Sequence, residues 1–364
     1  MDRINVTKSS MPPFEEYIKE IRSIWDNHWL TNAGPKHQLL VQELCKFIGA
    51  KEISLFSNGH QALEAAFSLF PVGSEVITTP FTFASTTLAI ARAGLVPVFC
   101  DIDPVFYTMD PEKIEPLITE KTVAIAPVHV YGNVCDWKRI EKIAAAHELK
   151  VVYDAAHAFG VSVNGVNISN IGDIVMYSFH ATKVFHTIEG GCLVHNDSGL
   201  SRYFTAWRQF GMFDGEQSEF LGTNAKLTEF AAAMGLCNLR HLDEQIAQRR
   251  EAVLHYRQHL CKKAGIVLCP EQEGVRTNYA YFPVRVIPEE CGVDRDQLVD
   301  LLKAQDIMAR KYFHPLTSQF PLHQKLYPIQ DTPIAQTVSE QILCLPLYAG
   351  LTEHDVARIC DIIP

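Results

Sequence analysis

Asp154 and Lys183 lie 29 positions apart in this chain, and each follows a short apolar run, residues 151–153 and 174–177. A lysine amine can form a Schiff base with the aldehyde of pyridoxal 5'-phosphate, and a carboxylate can keep the pyridine nitrogen of that cofactor protonated. Both runs have the composition of buried strands. Because ligands of open α/β sheets bind at the carboxyl ends of the strands, the pair predicts a pyridoxal phosphate site at that edge.

Five further residues could surround such a cofactor. Gly59 and His60 lie in the turn between a predicted strand and a predicted helix over 61–70, and the free backbone amides of a helix start suit a phosphate group. Ser178 would bring a hydroxyl to the same sheet edge. Phe83 and His157 could pack on the ring, although buried residues of both types more often belong to an ordinary core. Taken singly, even Asp154 and Lys183 are more often a turn residue and a solvated cation.

Composition excludes several classes of protein. The chain has 364 residues, 47% hydrophobic and 20% charged, which is typical of a folded soluble protein. A formal net charge of -10 argues against nucleic-acid binding, so an anionic substrate needs a local cluster of donors. The ten cysteines show no C-x-x-C spacing and predict neither a metal site nor disulfides. With no leader or membrane span apparent, we expect a cytoplasmic protein that does not bind membranes.

Strand and helix patterns alternate from about residue 38 to residue 195. This alternation predicts crossover units, and hence an α/β fold with a mostly parallel central sheet flanked by helices. A long helical pattern follows over residues 227–257. Beyond it, a strand over 278–287, a helix over 295–305 and a strand over 341–346 predict a smaller α+β domain. We therefore expect a large domain over 1–245 and a small domain over 246–364.

Eight motifs in order along the chain resemble those of the DegT/DnrJ/EryC1/StrS family, the nucleotide-sugar aminotransferases among the fold type I pyridoxal phosphate enzymes. The motifs occupy residues 29–35, 57–59, 81–83, 129–132, 154–157, 178–183, 189–191 and 224–229. Two positions differ from the usual pattern. His60 replaces a threonine in the phosphate turn, and Ile188 replaces a glycine in the loop after Lys183.

The resemblance implies a role for each candidate residue. Lys183 would bind the cofactor covalently and Asp154 would hold its pyridine nitrogen. The other cofactor ligands would be Phe83 and His157 near the ring, and Gly59, His60 and Ser178 at the phosphate. Asn224 would reach the phosphate bound by a neighbouring subunit, which implies a homodimer with shared active sites. Tyr312 and His314, in a segment similar to one near the sugar nucleotide in this family, could contact the substrate.

The resemblance also implies the reaction. The donor would be L-glutamate and the acceptor a dTDP-linked keto sugar. Members that make dTDP-4-amino-4,6-dideoxyglucose for O-antigen have the most similar motifs, so we expect amination at C4 of dTDP-4-dehydro-6-deoxyglucose. Aminotransferases that act at C3 share these motifs, and a non-catalytic regulatory protein is a further alternative. Members that dehydrate a keto sugar have histidine in place of Lys183, and a cysteine desulfurase would need a catalytic cysteine loop.

Overall fold

A seven-stranded sheet forms the centre of the larger part of the molecule. In the computed structural model, which describes residues 2–364, its order is β1-β9-β8-β5-β4-β2-β3, and of these seven strands β9 alone runs antiparallel to its neighbours. The mostly parallel α/β fold predicted from the sequence is therefore confirmed. The thirteen strands of the chain are β1 (Glu52–Phe56), β2 (Glu75–Thr78), β3 (Val96–Phe99), β4 (Thr122–Ala126), β5 (Lys150–Asp154), β6 (Ser162–Val163), β7 (Val166–Asn167), β8 (Ile174–Ser178), β9 (Gly191–His195), β10 (Ile266–Leu268), β11 (Val275–Arg276), β12 (Phe282–Val286) and β13 (Ile342–Leu345).

Helices cover both faces of this sheet and build most of the remaining structure. The helices are α1 (Phe14–Asn27), α2 (Pro35–Ile48), α3 (Gly59–Phe67), α4 (Ala84–Arg92), α5 (Trp137–Ala146), α6 (Ser198–Trp207), α7 (Glu229–Arg240), α8 (Leu242–Leu260), α9 (Pro288–Cys291), α10 (Arg295–Ala304), α11 (Pro321–Leu326), α12 (Pro333–Gln341) and α13 (Glu353–Ile362). No helix within residues 2–364 has both the length and the apolar character needed to cross a membrane.

The alternation of side chains along β5 and β8 decides which face of the sheet carries the polar residues. Val151 and Tyr153 join a buried cluster on one face, whereas Val152 packs on the other face with residues of α3 and α4. Successive side chains of a strand point to opposite faces, so Asp154 follows Val152 onto the α3 face. Met176 lies in the same cluster, and Ser178 therefore points to the same face. The polar residues at the ends of β5 and β8 therefore lie on the same face of the sheet, the face covered by α3.

The predicted helix over 227–257 is wrong in one respect, because the structure contains two helices there. His241, between α7 and α8, has φ −105° and ψ 3°, which leaves the helical conformation and redirects the chain. The predicted strand over 278–287 is also too long. Tyr279 has a positive φ of 51°, and the Asn278 side chain bonds to carbonyls outside any strand, so β12 begins only at Phe282.

The smaller part of the molecule is built on the antiparallel sheet β10-β12-β13, packed against α8, α10 and α13. Helix α8 joins the two parts, since Leu242 belongs to the core of the large sheet and Tyr256 to the core of the small one. The predicted boundary after residue 245 falls inside this helix and stays a prediction. Ile4 pairs with Ile307 and joins the small core, so the first residues also pack on the smaller part.

Candidate active site

Asp154 ends β5 with a carboxylate that is almost fully buried, at 5% exposure. One oxygen accepts a hydrogen bond from the Thr86 hydroxyl at 2.7 Å, and the other accepts one from the Ala156 backbone N–H at 3.0 Å. Burial raises the pKa of the carboxyl above its ordinary value, while Thr86, Ala156 and the charge of Lys183 oppose that rise. The site therefore holds a carboxylate in a fixed orientation that a cationic partner would stabilise.

Thr86 is a site residue that the sequence did not reveal. It lies in the first turn of α4, fully buried, and also shares a hydrogen bond of 2.8 Å with Thr82. The hydroxyls of Thr82 and Thr86 form a hydrogen-bonded chain that ends on the carboxylate of Asp154. Its only sequence signal is a pair of threonines four positions apart, of which Thr82 precedes α4 and Thr86 lies within it.

Lys183 follows β8 in a turn closed by its backbone N–H, which donates to the carbonyl of His180 at 2.9 Å. Within residues 2–364, no hydrogen bond reaches its side-chain amine. The amine faces the ring of Tyr281, with 5.9 Å between Nζ and the ring centroid. Burial lowers the pKa of Lys183 to about 8, although Asp154 acts in the opposite direction. An amine with this pKa has a minor neutral, and hence nucleophilic, fraction near physiological pH, which is far larger than that of an ordinary lysine.

The start of α3 presents free backbone N–H groups at Gly59 and His60, which together we call the phosphate cradle. Asn58 caps the helix by accepting from the Gln61 N–H at 2.8 Å, but the N–H groups of Gly59 and His60 meet no acceptor among the residues that the structure describes. A Cβ atom on Gly59 would lie 2.9 Å from the Cβ of Ser178, so only glycine allows this approach. Free amides, a helix N-terminus and a nearby hydroxyl together suit a phosphate.

His60 and Phe83 complete the wall around this cradle. The imidazole of His60 contacts the Ser85 hydroxyl at 2.9 Å through Nδ1 and the Glu64 carboxylate at 3.2 Å through Nε2. Its side chain is thus fastened to α3 and α4. Phe83 stands at the N-cap of α4 with 54% of its surface exposed, which is unusual for a phenylalanine in ordinary packing.

His157 is oriented by a backbone hydrogen bond. Its Nδ1 accepts from the Tyr131 N–H at 3.0 Å, so in the neutral ring the proton is on Nε2. Burial lowers the pKa of His157 well below its ordinary value, and the nearby Lys183 acts in the same direction. The ring therefore stays neutral, and it stacks on Phe313 at 5.9 Å between ring centroids.

One cavity of about 340 Å³ brings most of these residues together, at the lower end of the size range of small-molecule and cofactor sites. Eight of the predicted residues line it: Gly59, His60, Phe83, Asp154, His157, Ser178, Lys183 and Tyr312. Arg310, which was not among the predicted site residues, also lines the cavity and donates to the Tyr312 hydroxyl at 2.7 Å. It lies in the segment 310–315 that the sequence had already indicated.

Two predicted residues lie outside this cavity. Asn224 is exposed on the surface, where its backbone pairs with Gln209. His314 is exposed in a neighbouring groove that it shares with Phe83 and Tyr312, and its Nδ1 lies 3.2 Å from the Ser339 hydroxyl. The predicted roles of both, on the cofactor of a second subunit and on the substrate, stay predictions.

Comparisons with known proteins agree with this geometry. The model of the DegT/DnrJ/EryC1/StrS aminotransferase family matches residues 14–364. The chain is 41% identical to a dTDP-4-amino-4,6-dideoxy-D-glucose transaminase of Shigella dysenteriae, over 99% of this chain and 98% of that protein. It is 40% identical to a protein of the same name from Escherichia coli, with the same coverage. The crystal structure of DesI in the presence of its TDP-sugar product superposes with a TM-score of 0.94 at 30% identity, covering 100% of this chain and 92% of that one. This chain is an aminotransferase and belongs to the DegT/DnrJ/EryC1/StrS family.

Proposed function

We propose that this chain is a pyridoxal phosphate-dependent aminotransferase that moves an amino group from L-glutamate to C4 of dTDP-4-dehydro-6-deoxy-D-glucose. The product would be dTDP-4-amino-4,6-dideoxy-D-glucose, made in the cytoplasm for O-antigen synthesis. One observation carries the proposal: the unpaired amine of Lys183 and the buried carboxylate of Asp154 line the same cavity as an open phosphate cradle.

The residues of the cavity fit pyridoxal phosphate at both of its ends. Unpartnered N–H groups at Gly59 and His60, with the Ser178 hydroxyl beside them, suit the phosphate. Among residues 2–364, no cation makes a hydrogen bond to the buried carboxylate of Asp154, which suits a protonated pyridine nitrogen. When bound, the cofactor supplies an aldehyde that bonds to amines and a ring that withdraws electrons from the attached carbon.

Lys183 would act first as the residue that bonds to the cofactor and then as the base of the reaction. When free and neutral, its amine would take up the proton of the α carbon of glutamate bound in the cavity and hold that proton for return. The amine must be neutral for this step. The pKa of about 8 produced by burial leaves a useful neutral fraction at working pH, which an exposed lysine would lack.

Asp154 would keep the ring nitrogen of the cofactor protonated, and Thr86 would hold the carboxylate in the required orientation. His157 would be a neutral hydrogen-bond donor through Nε2, because its other nitrogen is already occupied by the Tyr131 N–H. Phe83, exposed at the cavity wall, would pack on the cofactor ring.

The identity of the substrate rests on the relatives and on local charge. Two relatives of about 40% identity are named for the dTDP-4-amino sugar, and DesI was crystallised with a TDP-sugar. A nucleoside diphosphate and both carboxylates of glutamate are anionic, and the chain itself carries a net charge of -10. Arg310 and Tyr312 at the cavity wall would supply the local donors that such substrates need. His314, in the adjoining groove, would contact the nucleotide end.

A second copy of the chain would complete the site. Asn224 is exposed and does not line the cavity of its own chain, as expected for a residue that reaches the phosphate bound by a partner subunit. Close to it in sequence, Leu221 is 94% exposed, and Trp29 and Leu30 are each at least half exposed. Large apolar side chains of this kind are commonly covered by a partner.

A direct assay tests the proposal. Purified protein loaded with cofactor should be yellow and should lose that colour on addition of L-glutamate. It should then convert dTDP-4-dehydro-6-deoxy-D-glucose to an amino sugar whose nitrogen NMR locates at C4. A product aminated at C3 would overturn the substrate assignment alone. A colourless protein, or a colour that resists glutamate, would overturn the aminotransferase reaction and favour the non-catalytic alternative. GDP- and UDP-linked keto sugars serve as control acceptors.

A further inference from the structure

Tyr281 lies directly behind the catalytic lysine, although it belongs to the smaller part of the molecule. It immediately precedes β12, and its ring centroid is 5.9 Å from Nζ of Lys183. A cation within about 6 Å of a ring centroid is attracted to the aromatic face. The Lys183 amine thus lies between the cavity and the Tyr281 ring.

The ring of Tyr281 is itself held in place by other aromatic groups. Its centroid lies 4.6 Å from that of His157, 5.9 Å from that of Tyr131 and 6.0 Å from that of Tyr312. These neighbours come from both parts of the molecule. A ring fixed on several sides presents its face to Lys183 without an entropy cost during the reaction.

The neighbours of the lysine amine leave few other ways to hold it. Within the described part of the chain, no hydrogen bond joins the amine. Asp154 and the Tyr312 hydroxyl favour its charged form and Arg310 opposes it, but Asp154 is engaged by Thr86 and Ala156, and the Tyr312 hydroxyl accepts from Arg310. Lys183 and Tyr281 both line a small void of about 10 Å³, which is too small to admit more than about one water molecule. The aromatic face is therefore the direct neighbour of the amine on that side.

We propose that Tyr281 is a positioning residue whose ring face holds the protonated amine of Lys183 while that amine is not bonded to the cofactor. This inference rests on the proposed function, because that function requires the amine of Lys183 to be bonded to the cofactor in one part of each turnover and free in another. The ring keeps the released amine at one place, beside the cavity, from which it returns to the substrate. The hydroxyl of Tyr281 is not needed for this role.

The test compares two replacements of Tyr281 in the cofactor-free full-length chain. Tyr281→Phe keeps the aromatic face, whereas Tyr281→Leu removes it. The pKa of Lys183 is measured from the pH dependence of its labelling by an amine-specific acylating reagent, followed by mass spectrometry. Loss of the ring removes an attraction that favours the charged amine, so the leucine variant should lower the pKa of Lys183 by about 0.5 to 1.5. The phenylalanine variant should match the wild type.

Turnover of the loaded enzyme gives a second measurement. Tyr281→Leu should reduce kcat roughly ten-fold with little change in the KM of either substrate, since the released amine is less well placed. Tyr348→Leu, a matched replacement in the small core away from Lys183, should alter neither quantity. Tyr281→Met, which fills more of the space with a flexible chain, replaces the leucine variant if that variant does not fold.

Two results would overturn the inference: an unchanged Lys183 pKa in the variants without a ring, or a phenylalanine variant that behaves like the leucine variant. Both are obtained without cofactor. They are therefore separate from failure of the proposed function, which would show as a wild-type protein that neither holds pyridoxal phosphate nor reacts with glutamate.

Discussion

Two cations, the half-buried Lys183 at the large sheet and the buried Arg295 at the small one, have opposite surroundings in this fold. Arg295, 3% exposed, donates to the carbonyls of Ser339 at 2.9 Å and Ile342 at 3.2 Å, and it also pairs with Asp296. The amine of Lys183 receives no such partner within residues 2–364. Buried charge is costly unless it is paired, so a cation that serves stability is satisfied by its surroundings. The unsatisfied cation lies in the cavity, where a ligand can bind to it.

The largest effect on activity is expected from removing Lys183, the cation without a hydrogen-bond partner within residues 2–364. Lys183→Ala should lower transamination by at least about 10³-fold, because both the bond to the cofactor and the base are lost. The free energy of unfolding should change by less than about 1 kcal/mol, since no partner is left unsatisfied. We expect a folded dimer that holds cofactor only noncovalently, measurable by absorbance before and after dialysis. Lys142→Ala, at an exposed position, is the control.

Replacing the carboxylate at the other end of the cofactor comes next. Asp154→Asn should bind cofactor yet lose about 10²- to 10³-fold in kcat, because a neutral amide does not maintain the ring proton. Cofactor binding is measured by spectral titration and turnover by amino-sugar production. Near-normal turnover would show that another carboxylate holds the ring nitrogen.

Removing Arg295, the hydrogen-bonded cation, should lower stability and leave activity nearly unchanged. Arg295→Met leaves the Ser339 and Ile342 carbonyls without a donor, and we expect the free energy of unfolding to fall by about 2–4 kcal/mol. The kcat of the folded fraction should remain within about two-fold of the wild-type value. Urea denaturation provides the measurement, with the exposed Arg250→Met as the matched control. A loss of kcat without a loss of stability would contradict the assignment of Arg295 to stability alone.

The smallest effect should come from the hydroxyl that orients Asp154. Thr86→Val removes a single hydrogen bond to the carboxylate, worth about 1 kcal/mol, and kcat should fall about five-fold. Thr87→Val is the matched control, since the Thr87 hydroxyl donates to the Ala84 carbonyl and does not contact Asp154. Equal losses in both variants would indicate a general effect on α4 rather than an effect on the carboxylate.

The residues at strand ends were those that the sequence predicted best. The positions of Asp154 and Ser178 follow from two apolar runs and from the two-residue period of a strand, both of which are local properties. The contact between Thr86 and Asp154 joins positions 68 apart and depends on how α4 packs on the sheet. Tyr281 lies almost a hundred positions after Lys183, immediately before β12 of the small sheet. Such contacts are set by tertiary packing, which no local pattern records.

The failure to predict two helices over residues 227–257 is due to a single residue. The helical pattern over 227–257 continues through His241, yet the backbone there turns out of the helix and divides it. Hydrophobic period cannot reveal such a break, because both helices keep apolar faces on their own cores. Arg310 shows the reverse case. Its segment was indicated by resemblance, but its contact with Tyr312 became visible only with the side chains in place.

The antiparallel strand β9 has a consequence for how freely this site can vary. Gly191 pairs with both Phe56 and Ser178, and a Cβ atom there would lie 2.5 Å from the backbone nitrogen of Gly59. Main-chain contacts, rather than side chains, therefore fix the distance between the phosphate turn and Ser178. The side chain at position 60 therefore does not set the distance between the phosphate turn and Ser178. Histidine can therefore replace threonine at position 60 without changing the backbone of the anion site. Other side chains at this position should likewise leave the anion site intact.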